Sequence, residues 1–159
     1  MAKVLVAYYS RTGNTKKMAE MVAEAAGEVP GTAVTLRPIG EVKPADLLKF
    51  DALVMGSPVY YGTMAAEIKS LIDKSVKYHG QLDGKVGGAF ASSGGPGGGN
   101  ETTILDLLKA MLIHGMIVKG EPAGDHYGPI AVGAPDKRSA GECRKLGRSV
   151  ATLAKRLFG

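Results

Sequence analysis

The sequence predicts an α/β fold: a doubly wound, five-stranded parallel sheet with helices on both faces. Three observations predict it. Short apolar runs alternate with helix-period patterns along the 159 residues, which is the rhythm of βαβ units with right-handed crossovers. The runs are apolar throughout instead of alternating, as in strands covered on both sides. Turn-forming Gly, Ser, Pro and Asn punctuate them.

Val4 to Tyr9 form the first strand, and the polar turn Ser10–Thr15 leads into a helix patterned by Met18, Ala19, Met21, Val22 and Ala25 and stopped by Gly27. Thr32 to Leu36 form the second strand. A stretch with Pro38 and Pro44 leads to a short helix over 45–49. The third strand, Asp51–Gly56, is followed by Ser57–Gly62 and a helix carrying Met64, Ile68, Leu71 and Ile72. The fourth strand, Lys85–Ala91, is rich in glycine, so something must approach it closely. After the glycine loop Ser92–Asn100, Asn100 is placed to cap a helix whose Ile104, Leu105, Leu107, Leu108, Met111 and Leu112 are too apolar for an exposed face. Met116–Val118, continuing at Ile130–Val132, make the fifth strand. The last helix, 138–157, buries Cys143, Leu146, Val150, Leu153 and Leu157. No linker or repeat divides the chain, which reads as one domain over residues 1–159.

Composition narrows the function. No run of apolar residues is long enough to span a membrane, and the N-terminus lacks the apolar length of a signal peptide. The expected compartment is the cytoplasm. One cysteine can neither staple the fold nor build a zinc site, and no metal is expected. The net charge of +5 sits entirely in residues 136–159, where Lys137, Arg138, Arg144, Lys145, Arg148, Lys155 and Arg156 face only Asp136 and Glu142. Basic residues clustered on one helix without interleaved aromatics read as a solvated face, and no nucleic-acid partner is expected. There are 23 glycines, roughly twice the usual share.

In such sheets ligands bind at the carboxyl ends of the strands, where three loops are chemically unusual. Ser10, Arg11, Thr12, Gly13, Asn14 and Thr15 precede a helix: side-chain donors, an unobstructed backbone and a helix N-terminus suit a phosphate. The P-loop and dinucleotide patterns are absent, and neither a cysteine nor an acidic pair stands there. Ser57, Pro58, Val59, Tyr60, Tyr61 and Gly62 set paired aromatics at a strand end, where a flat ring can lie. Ser92, Ser93, Gly94 and Gly95 open a loop of bare amides. Together they describe a site for a ring system on a phosphorylated tail.

These residues carry a resemblance. Ser10-Arg11-Thr12-Gly13-Asn14-Thr15, Gly56-Ser57-Pro58, Gly62-x-Met64-x-x-Glu67-x-Lys69, Ser92-Ser93-x-Gly95, Glu101-Thr102-Thr103, His114-Gly115-Met116 and Tyr127-Gly128 resemble the flavodoxin-like superfamily. Within it they are similar to the WrbA-type NAD(P)H:quinone oxidoreductases. The resemblance implies strand order 2-1-3-4-5 and FMN held by its phosphate at Ser10–Thr15, with its ring between loops 57–62 and 92–95. It further implies NAD(P)H as electron donor, a quinone-type acceptor, a dimer or tetramer, His114 as a catalytic residue beside the acceptor and Tyr127 as a pocket wall. The chain departs from that branch where Tyr60-Tyr61 replace Arg-Phe, where Ile113 replaces the first histidine of a pair, and in shorter segments before Ala45 and Tyr127.

Two other readings stand beside the reductase. One is a flavodoxin-type electron carrier, although carriers of the family are strongly acidic and bear an aromatic residue in the third loop, which Ser92–Asn100 lacks. The other is an FMN-binding regulatory protein with little turnover. His114 has a structural reading too, as the cation that a helix C-terminus favours.

Overall fold

The computed structural model describes all 159 residues. Val4 through Tyr8 are buried without interruption, so β1 (Ala2–Tyr8) is covered on both faces. It pairs in parallel with β2 (Thr32–Pro38) on one side and β3 (Ala52–Pro58) on the other. β3 pairs with β4 (Val86–Ser93), which is buried along its whole length. Beyond it lie β5 (Ile117–Val118) and β6 (Ile130–Val132). The order is β2-β1-β3-β4-β5, as the resemblance implies, with β6 also on β4.

The fifth position of the sheet is therefore split. β5 pairs with Val86 and Gly87 at the amino end of β4, whereas β6 pairs with Ala91, Ser92 and Ser93 at its carboxyl end. Residues 119–129 bulge out between the two halves. The fourth strand also reaches two residues further than the sequence suggested, so Ser92 and Ser93 belong to it and the glycine loop proper is Gly94–Gly99. The short helix near 45–49 is a 3₁₀ turn, Pro44–Lys49.

Helices cover both faces. α1 (Asn14–Gly27) and α4 (Lys137–Phe158) pack on the side of Val4, Val6, Val54 and Phe90. α2 (Ala66–Lys74) and α3 (Asn100–Ile113) pack on the side of Leu5, Leu53, Met55 and Ala89. Successive strand residues thus feed opposite cores, as the pleat requires. The glycines of β4 are explained by helices, not by a ligand. A Cβ on Gly87 would come within 2.9 Å of Met111 Sδ, and one on Gly88 within 3.1 Å of Val150 and 3.2 Å of Leu146.

Four of the seven basic residues of α4 find carboxylates. Arg148 donates to Glu28 through Nε at 3.0 Å and Nη2 at 2.7 Å, while Arg144 Nη2 lies 3.7 Å from Glu24. Arg138 reaches Asp125 at 2.7 Å and Lys145 reaches Glu142 at 2.9 Å. The charge excess is tied largely to α1 and to the 119–129 bulge. No helix is long and apolar enough to cross a membrane.

Candidate functional site

β1, β3 and β4 all end on one edge, and the structure brings their three loops together there. Backbone bonds fix the third strand end to the fourth: Val59 N–H donates to the Ser92 carbonyl at 2.8 Å. Another link, a buried pair of hydroxyls, fixes the turn after the first strand to the end of the fourth, Thr15 Oγ1 to Ser92 Oγ at 2.8 Å. Tyr9 and Tyr60 meet edge to face at 6.3 Å, with the Arg11 guanidinium 5.8 Å from the Tyr60 ring centre.

The first loop is shaped for an anion. Gly13 precedes α1 with φ 98°, a conformation that glycine adopts freely, and its amide donates to Ser10 Oγ at 3.1 Å. No side chain caps the helix, and the amides of Asn14, Thr15 and Lys16 have no partner in the chain. Those free N–H groups, the helix dipole and the flanking Arg11 and Lys16 would hold a phosphate; no acidic residue stands in the first turn to oppose it. The side chains of Arg11 and Thr12 lie exposed and Asn14 is half-buried, so all three can reach a ligand. Pro38, Ile39 and Gly40 form the opposite wall of this depression. Sequence reasoning missed them, although Pro38 stands beside Tyr8 in the sheet register and so at the same edge.

The second loop is a tight hairpin. Tyr60 and Thr63 exchange both backbone hydrogen bonds, at 2.9 and 3.2 Å, around Tyr61 (φ 49°) and Gly62 (φ 79°). Positive φ at both central residues is the type I′ turn, which favours Asn-Gly. Tyrosine in the first of these positions is strained, and its ring is fully exposed. Thr102 Oγ1 donates to the Gly62 carbonyl at 2.7 Å, and Thr63 Oγ1 donates to Asp106 Oδ2 at 2.6 Å. Both bonds hold the hairpin against α3. Ser57 is completely buried, with its hydroxyl donating to the Pro58 carbonyl and accepting from Ala65 N–H. Its hydroxyl braces the loop from within.

The third loop, Gly94–Gly99, carries no side chain except that of Pro96. A Cβ on Gly94, Gly95 or Gly97 would meet nothing within 4 Å. Ser93 Oγ donates to the Gly95 carbonyl and accepts from Asn100 Nδ2. Asn100 is therefore the first residue of α3 and a clasp on the loop, while the N-cap is Gly99.

Glu67 and Tyr9 form a further contact at this edge. Partial burial first, and then the Glu67 carboxylate, push the Tyr9 hydroxyl above its usual range. The Tyr9 phenol stays protonated at neutral pH.

The structure does not bring His114 to these loops. α3 starts at the carboxyl edge and runs back, so His114, the residue after its last turn, lies at the amino edge beside the start of β4. Within this chain it braces the end of α3 against Ser75, the residue that caps α2. Ser75 Oγ spends its proton on the Ile72 carbonyl at 2.6 Å, so His114 Nε2–H donates to Ser75 at 2.8 Å. His114 Nδ1 is then a buried acceptor without a partner. Burial, reinforced by His79 with its ring 6.0 Å away, lowers the pKa and keeps the imidazole neutral. Tyr127 is half-exposed and lies in the 119–129 bulge, against Glu142 and Lys145 of α4.

A flavodoxin domain model matches residues 5–108. A flavodoxin of Aquifex aeolicus is 42% identical over 95% of this chain and 86% of its own length. An NAD(P)H dehydrogenase (quinone) of Archaeoglobus fulgidus is 33% identical over 99% of this chain and 100% of its own. Among solved structures, the flavodoxin, WrbA-like protein of Agrobacterium tumefaciens superposes with a TM-score of 0.82 at 27% identity, covering 98% of this chain and 99% of that one.

Proposed function

Since the chain belongs to the flavodoxin domain family, we propose that it is an FMN-dependent oxidoreductase that passes two electrons from NAD(P)H to a quinone-type acceptor. Bound FMN would supply hydride chemistry for the net reaction NAD(P)H + H⁺ + quinone → NAD(P)⁺ + hydroquinone.

The donor set fits that group. The amides of Asn14, Thr15 and Lys16, with Thr12, Asn14 and Arg11, would hold the phosphate. The amides of Gly94, Gly95, Gly97 and Gly99 have no partner in the chain and suit the polar rim of a ring. Tyr60, braced by Arg11 and Tyr9, would carry one side of that ring.

The observation that carries the reading is the bare Gly94–Gly99 loop. It bears no aromatic side chain to cover a ring, so a nicotinamide or quinone has room to stack. In this reading His114 joins α2 to α3 and touches neither substrate.

A second reading, a flavodoxin-type electron carrier, draws support from the 42% identical relative of that name. Steady-state oxidation of NADH and NADPH with menadione separates the two. FMN-dependent turnover supports the reductase, and none with either nucleotide contradicts it.

A further inference from the structure

We infer that the cleft between α2 and α3 binds the hydrocarbon tail of a prenylated quinone; this rests on the reductase reading and narrows its acceptor to a lipophilic, tailed class. The cleft is a groove of about 840 Å³. It opens at Thr63 and Met64, directly after the tyrosine hairpin, and runs past Ile72, Val76 and Ile113 to His79 and His114 at the amino edge. A second depression joins Tyr60 to the same Met64, Lys69 and Asp73. The hairpin and the groove therefore form one continuous surface.

The chemistry of the walls selects the guest. Val76 is 71% exposed and Ile113 72%, both facing a groove lined mostly by carbon. Isolated apolar residues at a surface are ordinary, but here they follow one channel that leads away from the redox edge. The charged rim residues cancel within their own helices: Lys69 Nζ lies 2.7 Å from Asp73 Oδ1, and Lys109 Nζ 2.6 Å from Asp106 Oδ1. His114 is neutral and bonded to Ser75, so the far end carries no charge from it. No wall offers the excess positive charge that a dinucleotide's pyrophosphate needs. Along α3 from Asp106 to Ile113 the groove runs about 10 Å, roughly the length of two isoprene units. An uncharged, linear, apolar guest attached to a head at the hairpin meets all of these conditions.

The test uses the FMN-loaded protein and two quinones with the same head, menadione and a menaquinone bearing two prenyl units. The ¹³C-methyl resonances of Val76 and Ile113 should shift saturably with the tailed quinone and stay fixed with menadione. The double variant Val76→Ser/Ile113→Ser should raise KM for the tailed quinone at least tenfold, while kcat and KM for menadione stay unchanged. Ala110→Phe, which fills the groove, should do the same. Equal KM values for the two quinones in the native protein, with no methyl shifts, would overturn the inference. So would a dimer in sedimentation that the double variant dissociates, since a second copy would then cover the groove. Absence of menadione turnover would count against the reductase reading, whereas the methyl shifts need no turnover and decide the groove separately.

Discussion

Thr15 Oγ1 and Ser92 Oγ stand 2.8 Å apart, both buried, and join the first turn of α1 to the end of β4 across 77 positions of sequence. The loop after β1 and the end of β4, where the glycine loop begins, are thus held in register by one pair of hydroxyls. Thr15→Val would leave the Ser92 hydroxyl without its partner, at an expected cost of about 1–3 kcal/mol. Ser92→Ala should cost a similar amount, and the double variant should cost less than the two together. Urea unfolding of the four proteins checks this. Strict additivity would mean that the two hydroxyls do not interact.

Tyr61 holds a left-handed backbone at the hairpin tip with its ring in water. Tyr61→Asn should relax the turn and stabilise the protein by about 1 kcal/mol. If the exposed ring serves a flavin or a stacked substrate, the same variant should weaken FMN binding or raise KM. Thermal melts of the apoprotein and an FMN titration measure the two effects. Stabilisation with unchanged binding and kinetics would make Tyr61 an incidental feature of the turn.

His114 gives a pH dependence. Its pKa is lowered in the folded protein, by burial and then by His79. Above the ordinary histidine range near 6.5 the native interaction is intact. As pH falls from there toward the lowered value, the unfolded chain binds a proton that the folded one resists, and stability is lost. The unfolding midpoint should therefore drop more between pH 7 and 5 in the native protein than in His114→Gln. Quinone reduction should be nearly the same in both. A titration in the native state at or above 6.5 would contradict the neutral, buried assignment.

Cys143 lies fully buried in α4, and burial pushes its thiol up to about 12. It should resist thiol reagents at pH 8 in the folded protein and react as the chain unfolds. Rapid labelling of the native protein would show that α4 opens locally.

The fold was legible because its signals are local. Val4–Tyr9 and Asp51–Gly56 are continuous apolar runs, and strands covered on both faces need nothing else. The loops were legible because Gly13, Tyr60 and Gly94–Gly99 are unusual at strand ends. What escaped depends on tertiary placement. Pro38–Gly40 carry no chemical mark and join the depression beside the Ser10–Thr15 loop only through sheet order. Ser57 looked like a donor until its hydroxyl proved spent within its own loop. His114 was read from a motif, but a helix that starts at the site must end away from it, and α3 carries His114 to the opposite edge. Leu112, too apolar for an exposed face by its pattern, is 58% exposed.

An anaerobic titration of the FMN-loaded protein with NADPH and with NADH, followed in the visible spectrum, separates a reductase from a carrier. A reductase should bleach rapidly with one of the two nucleotides in a single two-electron step. No bleaching by either, with dithionite reducing the protein in two resolved one-electron steps, would contradict it and point to a carrier.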